Sequence, residues 1–133
     1  MTASLGMAYR APDVPTVLVV DDEIMTRVVI ADYLRDCGYR VFEAGGPEDA
    51  IELLNSPLKI DIVFTDLELP GRSSGLELAR WIRRRHAGVK VIVSTGLHSA
   101  AELAEDLCDA GPPIVKPYDS NAVVERIRSL KAN

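Results

Sequence analysis

The sequence predicts an α/β protein, a doubly wound parallel sheet of five strands. Two observations carry that expectation. Five short apolar runs alternate strictly with segments of helical periodicity. Within the runs, apolar residues stand at consecutive positions rather than at every second one, so both faces of the sheet need a cover, and helices supply it. Right-handed crossovers then wind the chain to both sides. The composition agrees: 47% of the 133 residues are hydrophobic and 26% charged, a folded balance at one-domain length.

The elements follow in order. "TVLVVDD" from Thr16 is an apolar run that ends in acids. "IMTRVVIADYLRDCG" carries Ile24, Val28, Ala31 and Leu34 at helical spacing, and Gly38 stops it. "YRVFEA" is a short strand holding Arg40 and Glu43, as an edge position allows. "GGPEDAIELLNSP" is a turn and a short helix, with Pro47 suited to the first helical turn. "IDIVFTD" is a second run ending in an acid, and "LELPGRSSG" a turn-rich loop. "LELARWIRRRHAG" is a helix with Leu76, Ala79 and Ile82 on one face; "VKVIVSTG" is a strand ending in small and hydroxyl residues. "SAAELAEDLCDAG" aligns Leu103, Leu107 and Ala110 as a helix. "PPIVKP", bounded by prolines, suits an edge strand, and "SNAVVERIRSL" puts Val123, Ile127 and Leu130 on the inner face of a last helix. Residues 1–14 read as a loose tail before a domain over 15–133.

Charge narrows the partners. The formal net charge is -5, and an acidic domain is a poor binder of phosphate backbones. No direct nucleic-acid partner is expected. The basic run "RWIRRRH" from Arg80 to His86 falls at a helix C-terminus, where cations complement the dipole, and reads as a solvated face. No apolar run approaches the ~20 residues that span a bilayer, and "MTASLGMAYRAPDVP" lacks a signal-peptide core. The expectation is therefore a cytoplasmic protein with no membrane partner. Cys37 and Cys108 lie far apart with no C-x-x-C spacing, so they read as two reduced, half-buried thiols.

The chemistry gathers at the strand ends. Open parallel sheets bind ligands beyond the carboxyl ends of their strands. There stand Asp21 and Asp22, Asp66, Thr95 with Gly96, and Lys116. Each has an ordinary reading alone: a helix cap, a loop acid, a surface lysine. Together they form three carboxylates, a hydroxyl and an ammonium converging on one spot. A site of carboxylates without His or Cys suits Mg²⁺, which takes oxygen ligands and keeps waters, better than Zn²⁺. No Ca²⁺-loop pattern is present. A carboxylate in such a site can act as nucleophile to form an aspartyl phosphate. Mg²⁺, Lys116, and Thr95 with the backbone N–H groups near Gly96 would then neutralise the phosphoryl oxygens.

These residues resemble a known family. "VLVVDDE", "DIVFTDLELPG", "GLELARWIR", "VIVSTG" and "IVKPY" are similar to the receiver domain of bacterial two-component response regulators, over about Thr16 to Leu130. The resemblance implies a flavodoxin-like (βα)5 sheet of strand order 2-1-3-4-5. It implies Asp66 as phosphoacceptor, charged by a histidine kinase or a histidine phosphotransfer protein. Mg²⁺ would be placed by Asp22 directly and Asp21 partly through water, with Asp66 and the backbone carbonyl of Glu68 completing the protein ligands. Thr95 would swing toward the phosphoryl group, Gly96 leaving it room, and Lys116 would bridge the phosphoryl oxygens. The Lys116–Pro117 bond would be cis. One position departs from the family pattern: Pro113 stands where an aromatic switch is usual, three residues before Lys116. Tyr118 is the nearest aromatic and reads as a surface or hinge-packing residue, so the loop of Leu97 and His98 and the helix after it are expected to carry the signal. Glu68, two residues past Asp66, flanks the path of an attacking water.

The expected function is a phosphorylation-dependent switch that catalyses only its own phosphorylation and dephosphorylation. It would act by contact with a downstream protein, as monomer or weak homodimer. The chain ends at Asn133 directly after the last helix, with no room in it for a DNA-binding output domain. It reads as a stand-alone regulator, a phosphorelay intermediate or a receiver cut from a longer protein, and Met1 with the short tail "SLKAN" favours the first. Two alternatives stand beside it. A Mg²⁺-dependent aspartate-nucleophile phosphohydrolase would need D-x-D after the first strand, where the chain has "DDE". A receiver-like module could also bind its partner without phosphorylation.

Overall fold

The structure is a computed structural model that describes residues 14–68, 75–96 and 107–132. Five parallel strands form one sheet: β1 (Thr16–Val20), β2 (Arg40–Ala44), β3 (Ile62–Asp66), β4 (Lys90–Thr95) and β5 (Ile114–Val115). Their order is β2-β1-β3-β4-β5, the doubly wound arrangement expected from the alternation and the resemblance. Four described helices cover it: α1 (Ile24–Asp36), α2 (Pro47–Leu54), α3 (Gly75–Arg85) and α4 (Ser120–Ala132). α1 touches α4, and α2 touches α3, one pair to each face. The expected N-terminal tail lies outside the described residues up to 13. So does most of the helix expected from Ser99, whose described end, Leu107–Gly111, is a run of turns.

The central strands are buried on both faces, as their continuous apolar runs require: every residue of β1 and of β3 is buried. Leu18, Val63 and Ile92 at the sheet centre are wholly out of water, as are Leu34, Ile82 and Ile127 from three of the helices. Each such side chain contributes roughly 1.5–3 kcal/mol by leaving water.

Helix boundaries follow local chemistry. α1 ends on Gly38 at φ 99°. The Gly38 N–H donates to the Arg35 carbonyl and the Tyr39 N–H to the Leu34 carbonyl, the Schellman closure that a left-handed glycine permits. α2 opens with Pro47 in its first turn, followed by Glu48 and Asp49, acids suited to the positive end of the dipole.

The inner faces differ from expectation in three helices. α1 buries Ile30, Ala31 and Leu34, whereas Ile24 is 62% exposed and Val28 also faces solvent. The sheet meets the stripe through Ile30, so the apolar first turn is left outside. α3 buries Leu78 with Ala79 and Ile82, and Leu76 only partly. α4 buries Val124 beside Val123 and Ile127, with Leu130 partly covered. The cysteines also differ from the two half-buried thiols expected: Cys37 is exposed and Cys108 buried.

Cys108 has a structural task. β5 is two residues long and, among the described residues, pairs with Ser94 and Thr95. The part of β4 before Ser94 would leave unpaired N–H groups, which are costly when buried. The Val93 N–H donates to the Cys108 Sγ and the Val91 N–H to the Asp109 Oδ2. Two side chains thus finish an edge that the short strand leaves open. Burial pushes the Cys108 thiol pKa up, against the smaller opposing pull of the Val93 N–H and Arg126.

Candidate functional site

The carboxyl ends of β1, β3, β4 and β5 meet at one edge of the sheet. One carboxylate oxygen each from Asp21, Asp22 and Asp66 lies within 4.8 Å of the others. Asp21 and Asp66 are buried at 5% and 6% exposure, and Asp22 opens to solvent. Two carboxylates at that separation repel by on the order of 3 kcal/mol at a protein-like dielectric. Lys116 supplies partial relief: its Nζ lies 2.8 Å from Asp66 Oδ2. Three acids facing one ammonium leave a net negative pocket. Its donors are all hard oxygens, the set that fits Mg²⁺ and does not fit an ion seeking thiolate or imidazole.

The protonation states reflect this crowding. Burial raises the Asp21 pKa above the ordinary carboxylate value, and the Asp66 and Asp22 charges add to the rise, while the Glu23 N–H and Lys116 oppose it. Partial burial works against the Lys116 ammonium, but the Asp66 hydrogen bond and the charges of Asp66, Asp21 and Glu68 outweigh it and hold the pKa above that of a free lysine.

The local backbone holds the acids in place. The Glu23 N–H donates to Asp21 Oδ1 and the Glu68 N–H to Asp66 Oδ1, each two residues downstream, the Asx turn that lets an acid end a strand. Arg27 of α1 donates from Nη1 to the Asp21 carbonyl and from Nε to Glu43 Oε1. Arg35 also pairs with Glu43. The acid inside the edge strand β2 is therefore the anchor for two arginines of α1. The Lys116–Pro117 peptide is cis, as the resemblance implied.

Thr95 stands at the end of β4, fully buried, and its hydroxyl donates to Glu68 Oε2 at 2.5 Å. The Gly96 N–H donates to Glu68 Oε1 at 2.8 Å. The structure therefore brings all six residues singled out in the sequence to one edge, and it gives Glu68 a side-chain role that the sequence reading did not contain. Leu97 and His98 lie outside the described residues.

Gly75 was also missed. A Cβ there would lie 1.9 Å from the Asp66 carbonyl oxygen and 2.7 Å from the Leu67 Cα, far inside van der Waals contact. The start of α3 presses directly on the backbone that carries Asp66. The available signal was a glycine at the junction of the "PGRSSG" loop with a helix, which reads equally well as a turn. Pro113, the residue before β5, is buried, and Tyr118 packs edge-on against Phe64, ring centroids 5.7 Å apart. Of the two readings of Tyr118, surface or packing, that contact favours packing. Its pKa is pushed up to about 12 by burial, with the Asp21 and Asp66 charges adding to the rise.

Known proteins share this fold. A model of the response regulator receiver domain matches residues 17–128. The chain belongs to the response regulator receiver family. This receiver domain is 34% identical over 122 residues to the transcriptional regulatory protein AruR of Pseudomonas aeruginosa, covering 88% of this chain and 49% of that one. It is 30% identical to the response regulator TrrA of Thermotoga maritima, whose crystal structure is a complex with Mg²⁺-BeF; the TM-score is 0.76, over 87% of this chain and 98% of that one. A CheY-like receiver domain from Methanospirillum hungatei, 22% identical, shares the fold at a TM-score of 0.78, over 91% of this chain and 100% of that one. The chain spans about half the length of the curated transcriptional regulators it matches, AruR among them. No described helix is long and apolar enough to cross a membrane.

Proposed function

We propose that this receiver domain is a phosphorylation-dependent switch of a two-component or phosphorelay system, in which Asp66 accepts a phosphoryl group from a phosphohistidine donor in the presence of Mg²⁺. One observation carries the reading: the carboxylates of Asp21, Asp22 and Asp66 gather within 4.8 Å, with Lys116 Nζ 2.8 Å from Asp66.

The roles follow from position. A carboxylate oxygen of Asp66 attacks phosphorus; the O–P bond forms, the donor's N–P bond breaks, and the electron pair leaves on the imidazole nitrogen, which solvent protonates. Lys116 fixes one Asp66 oxygen and the Glu68 N–H the other, so the nucleophile is held before the donor arrives. Lys116 then pairs with an oxygen of the transferred group, and the Thr95 hydroxyl and Gly96 N–H are the donors for another. Asp21, Asp22, Asp66 and the Glu68 carbonyl would hold Mg²⁺, which supplies positive charge against the phosphoryl oxygens. The Mg²⁺-BeF complex of the relative TrrA supports the same ion here.

The phosphoryl donor is a histidine kinase or a histidine phosphotransfer protein. Output passes to a downstream protein by contact. Phosphorylation adds about two negative charges and biases a two-state surface. An apolar groove of about 700 Å³ beside Lys116, with Met25, Val29, Pro117 and Tyr118 among its lining, supports protein docking next to the site.

The test is Asp66→Asn. Incubated with a small phosphodonor and Mg²⁺, wild type acquires a base-labile phosphoryl group and the variant none. Equal labelling of the two would remove Asp66 from the role.

A further inference from the structure

The donors that a phosphoryl oxygen needs are already in use. Glu68 carries two oxygens, and each has its own partner: Oε2 takes the Thr95 hydroxyl and Oε1 the Gly96 N–H. Thr95 and Gly96 close β4, while Glu68 follows β3 by two residues, so the contact bridges the two strand ends that flank the site. The backbone of the same residue stays on the other side, its N–H on Asp66 Oδ1. Glu68 therefore spans from the nucleophile to the anion donors. A carboxylate is a planar anion with two acceptor oxygens, and so it reproduces the part of a phosphoryl group that faces these two donors. Hydrogen bonds to an ionised acceptor are roughly twice as strong as neutral ones.

We propose that the Glu68 carboxylate is a built-in occupant of the phosphoryl-oxygen seat, which an incoming phosphoryl group must displace. This rests on the reading of Asp66 as phosphoacceptor. Three consequences follow from the geometry. In the resting protein the occupied seat holds Thr95 and Gly96 in place without an external anion. During phosphorylation, two hydrogen bonds to a charged acceptor break before the phosphoryl oxygen makes its own, which slows the reaction and weakens anion binding. After phosphorylation the freed carboxylate is repelled by the new charge and turns outward, so the β3–α3 side of the site changes its surface in step with Asp66. In a chain with Pro113 at the usual switch position, that displacement is a second route by which the site alters its surroundings.

The seat is separable from the charge by Glu68→Asp, which keeps the negative charge and shortens the reach by one methylene. Glu68→Ala removes both. The experiment measures labelling rate from acetyl phosphate with Mg²⁺, and Mg²⁺-dependent binding of beryllofluoride by calorimetry, for wild type and both variants. Both variants are expected to label faster and bind beryllofluoride more tightly by about tenfold, the low end for losing a charge-assisted hydrogen bond. In the anion-free protein, the Gly96 amide proton is expected to move upfield and exchange faster in both variants. If wild type labels and Glu68→Asp stays at the wild-type rate, the occupied-seat proposal is overturned, because charge alone then explains any effect of Glu68→Ala. An unmoved Gly96 amide in Glu68→Ala overturns it as well. If neither wild type nor the variants take label, the phosphoacceptor reading falls, and this proposal with it.

Discussion

At the scale of single residues, the site is a problem of like charges kept close. Asp21 is buried against Asp66 and its pKa is raised, first by burial and then by its neighbours. Lys116 answers only part of that charge. Tyr118 is a reporter of the same field, since its phenol is half-buried against Phe64 and feels the charges of the two acids. Its pKa of about 12 lies above that of a free tyrosine, near 10. The folded state therefore binds this proton more tightly than the unfolded chain. That contribution to stability is whole below pH ~10 and is lost as the pH rises toward ~12. An alkaline titration followed by phenolate absorbance is expected to show a late step near pH 12 in wild type that is missing in Tyr118→Phe. A wild-type curve with no such step would place Tyr118 in solvent.

At the scale of elements, the junctions matter more than the spans. α1 is tied to the edge strand β2 by Arg27 and Arg35 on Glu43, and β4 is finished by the side chains of Cys108 and Asp109 where β5 is too short. The tightest junction is that of α3 with the end of β3. Gly75 lies against the backbone of Asp66 and Leu67, with no room for a methyl group. Gly75→Ala must push the helix start or the strand end aside. Overpacking of this kind costs about 1–3 kcal/mol, and the displaced atoms are those that carry Asp66. The variant is expected to lose that stability in urea unfolding and to label from acetyl phosphate at least about tenfold more slowly, as misplacement of a reacting group implies. Wild-type stability with a wild-type labelling rate would contradict the close contact.

At the scale of the whole molecule, the parts written locally in the chain were legible. Strict alternation of apolar runs and helical periods gave the layered sheet, and the acids at the ends of β1 and β3 marked the edge where they meet. The residue motifs "VLVVDDE" and "IVKPY" then supplied strand order and roles by resemblance. What stayed hidden depends on distance in space. Helical spacing alone admits several stripes on α1, and the sheet selected the one through Ile30 and left Ile24 and Met25 outside. The Glu68 side chain could be read as flanking a water path, because no pattern in "DLEL" tells that Thr95 and Gly96, 27 and 28 residues away, donate to it. Gly75 gave the same difficulty: the letter marks a turn and a close approach alike.

The account as a whole stands on a cation-dependent acyl phosphate forming on the central acid. The direct measurement is to map the modified residue after exposure to acetyl phosphate, by borohydride reduction of the acyl phosphate and peptide mass spectrometry, once with Mg²⁺ and once with excess EDTA. The predicted result is modification at Asp66 alone, with Mg²⁺ and not with EDTA. Modification at another residue, or equal modification of Asp66 in EDTA, would contradict it.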